Sequence, residues 1–415
     1  MVHGQGSHEA CGRELPPVSP STLAQPLPEA LGLRPFRPRL PWLNGDLQTL
    51  RDSLRPVRVP AAAGLRLEIP VPAAAAHRPP GSGVPPDRPD RLLALLDPAL
   101  GEALEPLGLV VLVHGLGGSS EREGLRRMGW TLQRAGFAVL RLNLRGAGLG
   151  RGLAGGSYAA SCNADLLPAL RCARELADGL AADGRPLLAM GISLGGTMLL
   201  NALLASAEEH GAAGLMGPLL DGLVCISSPL DLQACSHQIE RPRNALYQRW
   251  LLQRLLAQIQ ADPHGLSVAE TEAAAGRAPE GSIASIRAFD AVFTAPRWGY
   301  PSVQDYYRQA SPWPRLLHHA GGLPPALIVH AADDPWVPVQ ATGLLAQSAL
   351  DSSQGGPWQV LITPQGGHNG FHASCDRTAQ LGGCWGDRLT ARWLQRLVAM
   401  LQPAASEHLE THNQR

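Results

Sequence analysis

Short apolar runs that alternate with segments of helical spacing constrain this 415-residue chain more than any other feature. LVVLV (Leu109–Val113), FAVLRLNL (Phe137–Leu144), RPLLAMGI, DGLVCISSP, PALIVHA and WQVLIT are each brief and mostly apolar, the pattern of strands buried on both faces. Between them, EGLRRMGWTLQRAG, ADLLPALRCARELADGL, LGGTMLLNALLASAEEHG, the stretch near Ala341–Leu350 and the one from about Asp387 to Leu401 carry apolar residues at helical spacing. The alternation predicts an α/β fold: a mostly parallel sheet with helices on both faces. With 45% hydrophobic and 17% charged residues, the chain is long and apolar enough to bury a sizeable core.

Sheets of this kind place ligands at the carboxyl ends of their strands, so the residues that follow each strand matter most. They are His114-Gly115-Leu116-Gly117-Gly118, Asn143-Leu144-Arg145-Gly146, Gly191-Ile192-Ser193-Leu194-Gly195, Asp333-Asp334-Pro335 and Gly366-Gly367-His368. A serine, an acid and a histidine therefore share one edge. A Gly-x-Ser-x-Gly pattern alone is weak, expected by chance roughly 0.3 times in such a chain, so its context must carry the reading. A serine hydroxyl needs a base within hydrogen-bond reach, and the base needs an acceptor that fixes its tautomer. A sharp strand-to-helix turn would lift Ser193 clear of the sheet, with Gly191 and Gly195 relieving the crowding. The backbone N–H groups of Leu194 and Leu116 are the candidate oxyanion donors. His368 is the candidate base, chosen over His372, His318, His319 and His330 because glycines flank it directly after the last strand. Asp334, immediately before Pro335, is the candidate acid, with Asp333 as its alternative. His114 reads as a residue shaping the oxyanion loop, and Arg145 as a loop-fixing donor.

Taken in order, LNGDLQTL (Leu43–Leu50), VHGLGGSS, NLRG, GISLGG, SSPLDL, AFDAVFTAPRWGYPSVQDYY, AADDPWVP and GGHNGF resemble the YheT-like family of esterase-type α/β-hydrolase proteins and its eukaryotic α/β-hydrolase-domain relatives. The resemblance runs from about Leu40 to Leu401. It implies the α/β-hydrolase fold, a catalytic triad of Ser193, Asp334 and His368 in that chain order, and carboxylester hydrolase activity. The chain departs from the family at Ala159 and Ala160, where a histidine is frequent, and at Asp46, which replaces the histidine of an H-x-Q-T segment. Both lie outside the triad and bear on substrate details.

The expected organisation is a flexible arm over 1–40, a first core part over 41–229, a cap or lid insertion over 230–323, a second core part over 324–402 and a flexible tail over 403–415. Within the insertion, Asn244–Gln260 is predicted as a helix whose apolar residues either line a pocket for an acyl chain or pack on the core. PPGSGVPPDRPD (Pro79–Asp90) reads as a surface loop. Gly150-x-Gly152-x-x-Gly155 matches a dinucleotide fingerprint, but no helix opens at it, and it reads as a flexible loop.

Composition narrows the chemistry. The formal net charge is zero, giving no whole-chain attraction to nucleic acid. All 35 basic residues are arginine, which excludes a Schiff-base lysine, a pyridoxal-phosphate anchor and a P-loop lysine. Seven irregularly spaced cysteines and no apolar leader point to the cytoplasm, and no run approaches the ~20 apolar residues of a membrane span. His372-x-x-Cys375 with Cys384 lacks the partner pair of a metal site. The expectation is a serine hydrolase that cleaves carboxylic esters, short-chain or acylglycerol-type, through an acyl-enzyme. It needs no cofactor and no metal, and takes a small-molecule ester with an apolar acyl group. The alternatives are an acyltransferase or thioesterase on the same triad, and a non-catalytic small-molecule binding protein.

Overall fold

The computed structural model describes residues 27–401 except 57–58, 61–63, 73–89, 102–104, 211–217, 278–282, 318–322, 352–357 and 380. Within these, β1 (Leu65–Val71), β2 (Asp90–Asp97), β3 (Leu109–Val113), β4 (Ala138–Asn143), β5 (Leu187–Ile192), β6 (Gly222–Ile226), β7 (Ala326–Ala331) and β8 (Trp358–Thr363) form one sheet in the order β1-β2-β4-β3-β5-β6-β7-β8. The pairings of β1 with β2 and of β2 with β4 are antiparallel; all the others are parallel. The fold is thus α/β with a mostly parallel sheet, as the alternation predicts.

The helices are α1 (Leu27–Ala30), α2 (Gly45–Leu54), α3 (Glu123–Arg134), α4 (Asn163–Asp178), α5 (Leu194–His210), α6 (Leu232–Ile239), α7 (Ala245–Gln260), α8 (Val268–Ala274), α9 (Ile286–Phe289), α10 (Ala295–Arg297), α11 (Val303–Ala310), α12 (Trp313–Leu316), α13 (Gln340–Asp351) and α14 (Trp385–Leu401). Period-two alternation divides the core. In β3, Leu109, Val111 and Val113 join the cluster packed with α4, α5 and α13, while Val110 and Leu112 join the one packed with α3 and α14. β5 repeats the division with Leu187 and Ala189 against Leu188 and Met190. Both faces of the central strands are covered, which is why these runs are continuously apolar.

Four expectations need correction or restriction. The arm expected over 1–40 is not free from residue 27 onward: Leu31 is buried, and the Phe36 ring meets Phe371 and Trp385 edge-on at 5.9 and 5.3 Å. The Trp385 indole N–H also donates to the Arg34 carbonyl at 2.8 Å. Apolar side chains spaced along this segment find a groove on the α14 face, which composition alone does not reveal. Residues 1–26 and the tail over 403–415 lie outside the described residues, as does PPGSGVPPDRPD except Asp90, which opens β2. Nor is the segment of Gly150, Gly152 and Gly155 a free loop. It holds a 3₁₀ turn over Gly148–Leu153, tied to the end of α7 by Arg151 on the Ala261 carbonyl and by the Gly156 N–H on Asp262.

Between β6 and β7 the alternation gives way to α6–α12. The predicted helix is α7, one residue shorter at its start. Asn244 stays outside because its side-chain amide donates to the Gln238 and Pro335 carbonyls, both at 2.8 Å. Leu251, Leu252, Leu255 and Ile259 of α7 pack with Ile239, Ile286, Phe289 and Phe293 in a cluster of their own. Leu246 is 82% exposed.

Candidate active site

Ser193 stands between β5 and α5 with φ +54°, a left-handed conformation that a residue with a Cβ adopts only when its surroundings impose it. The turn is held by the Ser193 N–H on the Ile226 carbonyl at 2.8 Å. Gly195 is required for a different reason: a Cβ there would lie 2.3 Å from the Val113 carbonyl oxygen. The turn therefore presses α5 against β3, and only hydrogen fits between them.

The Ser193 Oγ lies 2.9 Å from His368 Nε2, and His368 Nδ1 lies 2.8 Å from Asp334 Oδ2. With a carboxylate accepting at Nδ1, the proton belongs on that nitrogen and the Nε2 lone pair faces the serine hydroxyl. Asp334 Oδ1 accepts the Trp336 and Val337 N–H groups at 2.8 and 3.0 Å. Burial pushes the Asp334 carboxyl up, but His368, His330 and the Val337 amide outweigh it and hold the group below its usual range. It remains an acceptor-only carboxylate at neutral pH.

The alternatives are placed elsewhere. Asp333 Oδ1 accepts the Gly367 N–H at 2.8 Å, so it fixes the loop of His368 rather than its ring. His330 is engaged with the Val337 carbonyl and the Thr342 hydroxyl, and His372 lies 3.0 Å from Asp52. His318 and His319 fall outside the described residues. Cys375 and Cys384 accept from Arg388 and Arg127, and among the described residues no group of three or more His, Cys, Asp or Glu could hold a metal ion.

Leu116 and Leu194 line the same cavity as Ser193 and His368. The Leu194 N–H is the first of α5 and has no intrahelical acceptor. Beside Leu116, the Gly117 N–H donates to the Tyr158 hydroxyl at 2.6 Å and its carbonyl accepts from Arg254 of α7 at 3.0 Å. His114 holds the same loop, with Nδ1 2.9 Å from the Gly115 carbonyl and Nε2 accepting the Leu144 N–H at 3.3 Å. Burial pushes its imidazole down to about 4, so it is neutral. The Arg145 guanidinium is taken up by Asp90, Asp165 and the Gly155 and Pro72 carbonyls.

Several residues at the site were not singled out from the sequence. The Thr49 hydroxyl on α2 accepts the His368 N–H at 2.8 Å, and Gln48 bonds both the N–H and the carbonyl of His372. The QT pair of LNGDLQTL thus holds the histidine loop, and the motif was the available signal. Asp46, the departure in that motif, bonds Arg243 and Tyr247 and so joins α2 to the start of α7. The Trp336 ring lies against the His368 imidazole, with centroids 4.5 Å apart. The cavity measures about 780 Å³, and Leu251, Leu255, Ile259 and Phe289 give it apolar walls.

A family model described as the alpha/beta hydrolase family matches residues 110–381. Over 192 residues the chain is 35% identical to the YheT protein of Escherichia coli, a match covering 45% of this chain and 49% of that protein. It is 29% identical over 301 residues to phospholipase ABHD3 of Mus musculus, covering 72% of this chain and 64% of that one. It is 28% identical over 253 residues to medium-chain fatty acid ethyl ester synthase/esterase 2 of Saccharomyces cerevisiae, covering 56% and 52%. The chain therefore spans 49% to 64% of the length of these relatives.

Proposed function

The chain belongs to the alpha/beta hydrolase family, and on that footing we propose that it is a serine hydrolase of carboxylic esters acting through an acyl-enzyme. The observation that carries the reading is the unbroken contact from Ser193 Oγ through His368 to Asp334, at 2.9 and 2.8 Å. Ser193 attacks the ester carbonyl while His368 Nε2 takes its proton. The tetrahedral oxyanion is received by the Leu116 and Leu194 N–H groups. His368 then protonates the leaving alcohol and next activates water, and Asp334 orients the imidazole and stabilises its cation. No cofactor or metal enters these steps.

The substrate is a small ester with a largely apolar acyl group, in keeping with the walls contributed by α7 and α9. The stretch over 230–323 acts as the cap of a core made of 41–229 and 324–402. The same residues would transfer the acyl group to an alcohol in place of water, and the yeast relative, named both synthase and esterase, makes that second reading specific. Product analysis with a competing alcohol separates the two.

The test is a panel of p-nitrophenyl esters of graded chain length, run on wild type and on Ser193→Ala, Asp334→Asn and Asp333→Asn. Ser193→Ala and Asp334→Asn should each lower kcat by about 10⁴ or more with unchanged folding, and Asp333→Asn by far less. A folded Ser193→Ala protein that turns over near the wild-type rate contradicts the proposal.

A further inference from the structure

One wall of the cavity is polar in a way the steps above do not use. Ser236 on α6, Asp290 and Thr294 after α9, and Tyr306 and Tyr307 on α11 all line it. Asp290–Thr294 is a π-helical turn, a wide form of helix frequent at functional sites. The Tyr307 hydroxyl donates to Asp290 at 2.8 Å, and Thr294 adds a second donor. No arginine pairs with Asp290 among the described residues, and burial pushes its carboxyl up to about 6. Ser236, 4% exposed, faces the Tyr307 oxygen, whose own proton goes to Asp290, and among the described residues nothing donates to the Ser236 Oγ. The Tyr306 oxygen accepts the Ala160 N–H at 2.9 Å, leaving its own proton to donate.

We propose that Ser236, Asp290 and Tyr306 form a polar subsite that binds a hydroxyl group on the acyl half of the ester. An unadorned alkyl chain against this wall would leave the Ser236 lone pairs and the Tyr306 proton without a partner, and the buried Asp290 carboxyl with only its two neutral donors, which is costly. A hydroxyl answers both needs, donating to Asp290 and accepting from Ser236 or Tyr306, whereas an ammonium group can only donate. Ser236, Tyr306 and Tyr307 are 3–4% exposed, while Leu246 and Trp250, also lining the cavity, are 82% and 38% exposed. The subsite is therefore interior to the mouth, among the apolar walls that hold the acyl group in the proposed function.

The assignment to an acyl half rests on the proposed ester hydrolysis, so its test has an arm without turnover. In the first arm, wild type, Ser236→Ala and Asp290→Asn, each checked for folding by thermal melting, are compared on p-nitrophenyl esters of ω-hydroxy, ω-amino and plain acyl chains of four to ten carbons. At one chain length the ω-hydroxy ester should exceed its plain counterpart about tenfold or more in kcat/KM, and the ratio should fall toward one in both variants. In the second arm, calorimetry measures binding of the matching ω-hydroxy and plain carboxylates to Ser193→Ala. Preferential binding of the hydroxy acid there, with no ester turnover in the first arm, sinks the hydrolase reading and retains the subsite. The subsite is overturned if neither arm shows a hydroxyl preference, if the ω-amino chain is preferred instead, or if the preference survives in Ser236→Ala.

Discussion

His114 holds the loop beside Ser193 as a neutral imidazole, and that neutrality gives it a pH signature. Its folded pKa of about 4 lies below the 6.5 of a free histidine. Below pH 6.5 the unfolded chain takes up a proton that the folded one refuses until about pH 4, so the stability from this group is full above pH 6.5 and is lost as pH falls through that window. The shift corresponds to about 3 kcal/mol. Urea unfolding of wild type and His114→Asn between pH 7.5 and 4 should show their stability difference shrinking by about that amount. A difference independent of pH contradicts the assignment. At this scale the sequence was most informative, because a serine, an acid and a histidine placed after the parallel strands β5, β7 and β8 are tied to one sheet edge by topology. Asp333 and Asp334 could not be separated that way. They are chain neighbours, and only the side-chain directions, one toward the Gly367 N–H and one toward the imidazole, tell them apart.

At the scale of elements, α2 sets the histidine loop. Gly367 is pinned in a left-handed conformation (φ +59°) with the Gly45 carbonyl 2.2 Å from where a Cβ would stand, and Thr49 receives the adjacent His368 N–H. Thr49→Val removes the acceptor while keeping the shape. It should lower kcat on short esters roughly tenfold with little change in KM, since a loosened base affects the proton transfer more than substrate binding. Steady-state kinetics on one ester checks this, and an unchanged kcat counts against a positioning role for α2. The strands β3–β8 and the helices α3, α4, α5, α13 and α14 were legible because a two-sided sheet writes its periodicity locally, whereas of α6–α12 only α7 was. The roles of α2 and of residues 27–40 were not. Their partners, His368, Phe371 and Trp385, lie more than 300 positions away, and no local period records a contact of that span.

Across the whole molecule, the sheet edge carries Ser193, Asp334 and His368, and α6, α7, α9 and α11 supply walls of the cavity beside them. Arg254 of α7 reaches the Gly117 carbonyl, so the helical insertion and the loop of the proposed oxyanion donors are mechanically joined. The apolar residues of α7 were visible as a stripe, but whether they face a cavity or only their own cluster depends on neighbours from α9 that follow some 30 residues later. The central claim is that Ser193 is a nucleophile activated by His368. The most direct measurement is labelling of the folded protein with an active-site fluorophosphonate, followed by peptide mass spectrometry. The account predicts a single stoichiometric adduct on Ser193, lost in His368→Ala. Folded wild-type protein that takes up no label, or carries it on a different residue, contradicts it.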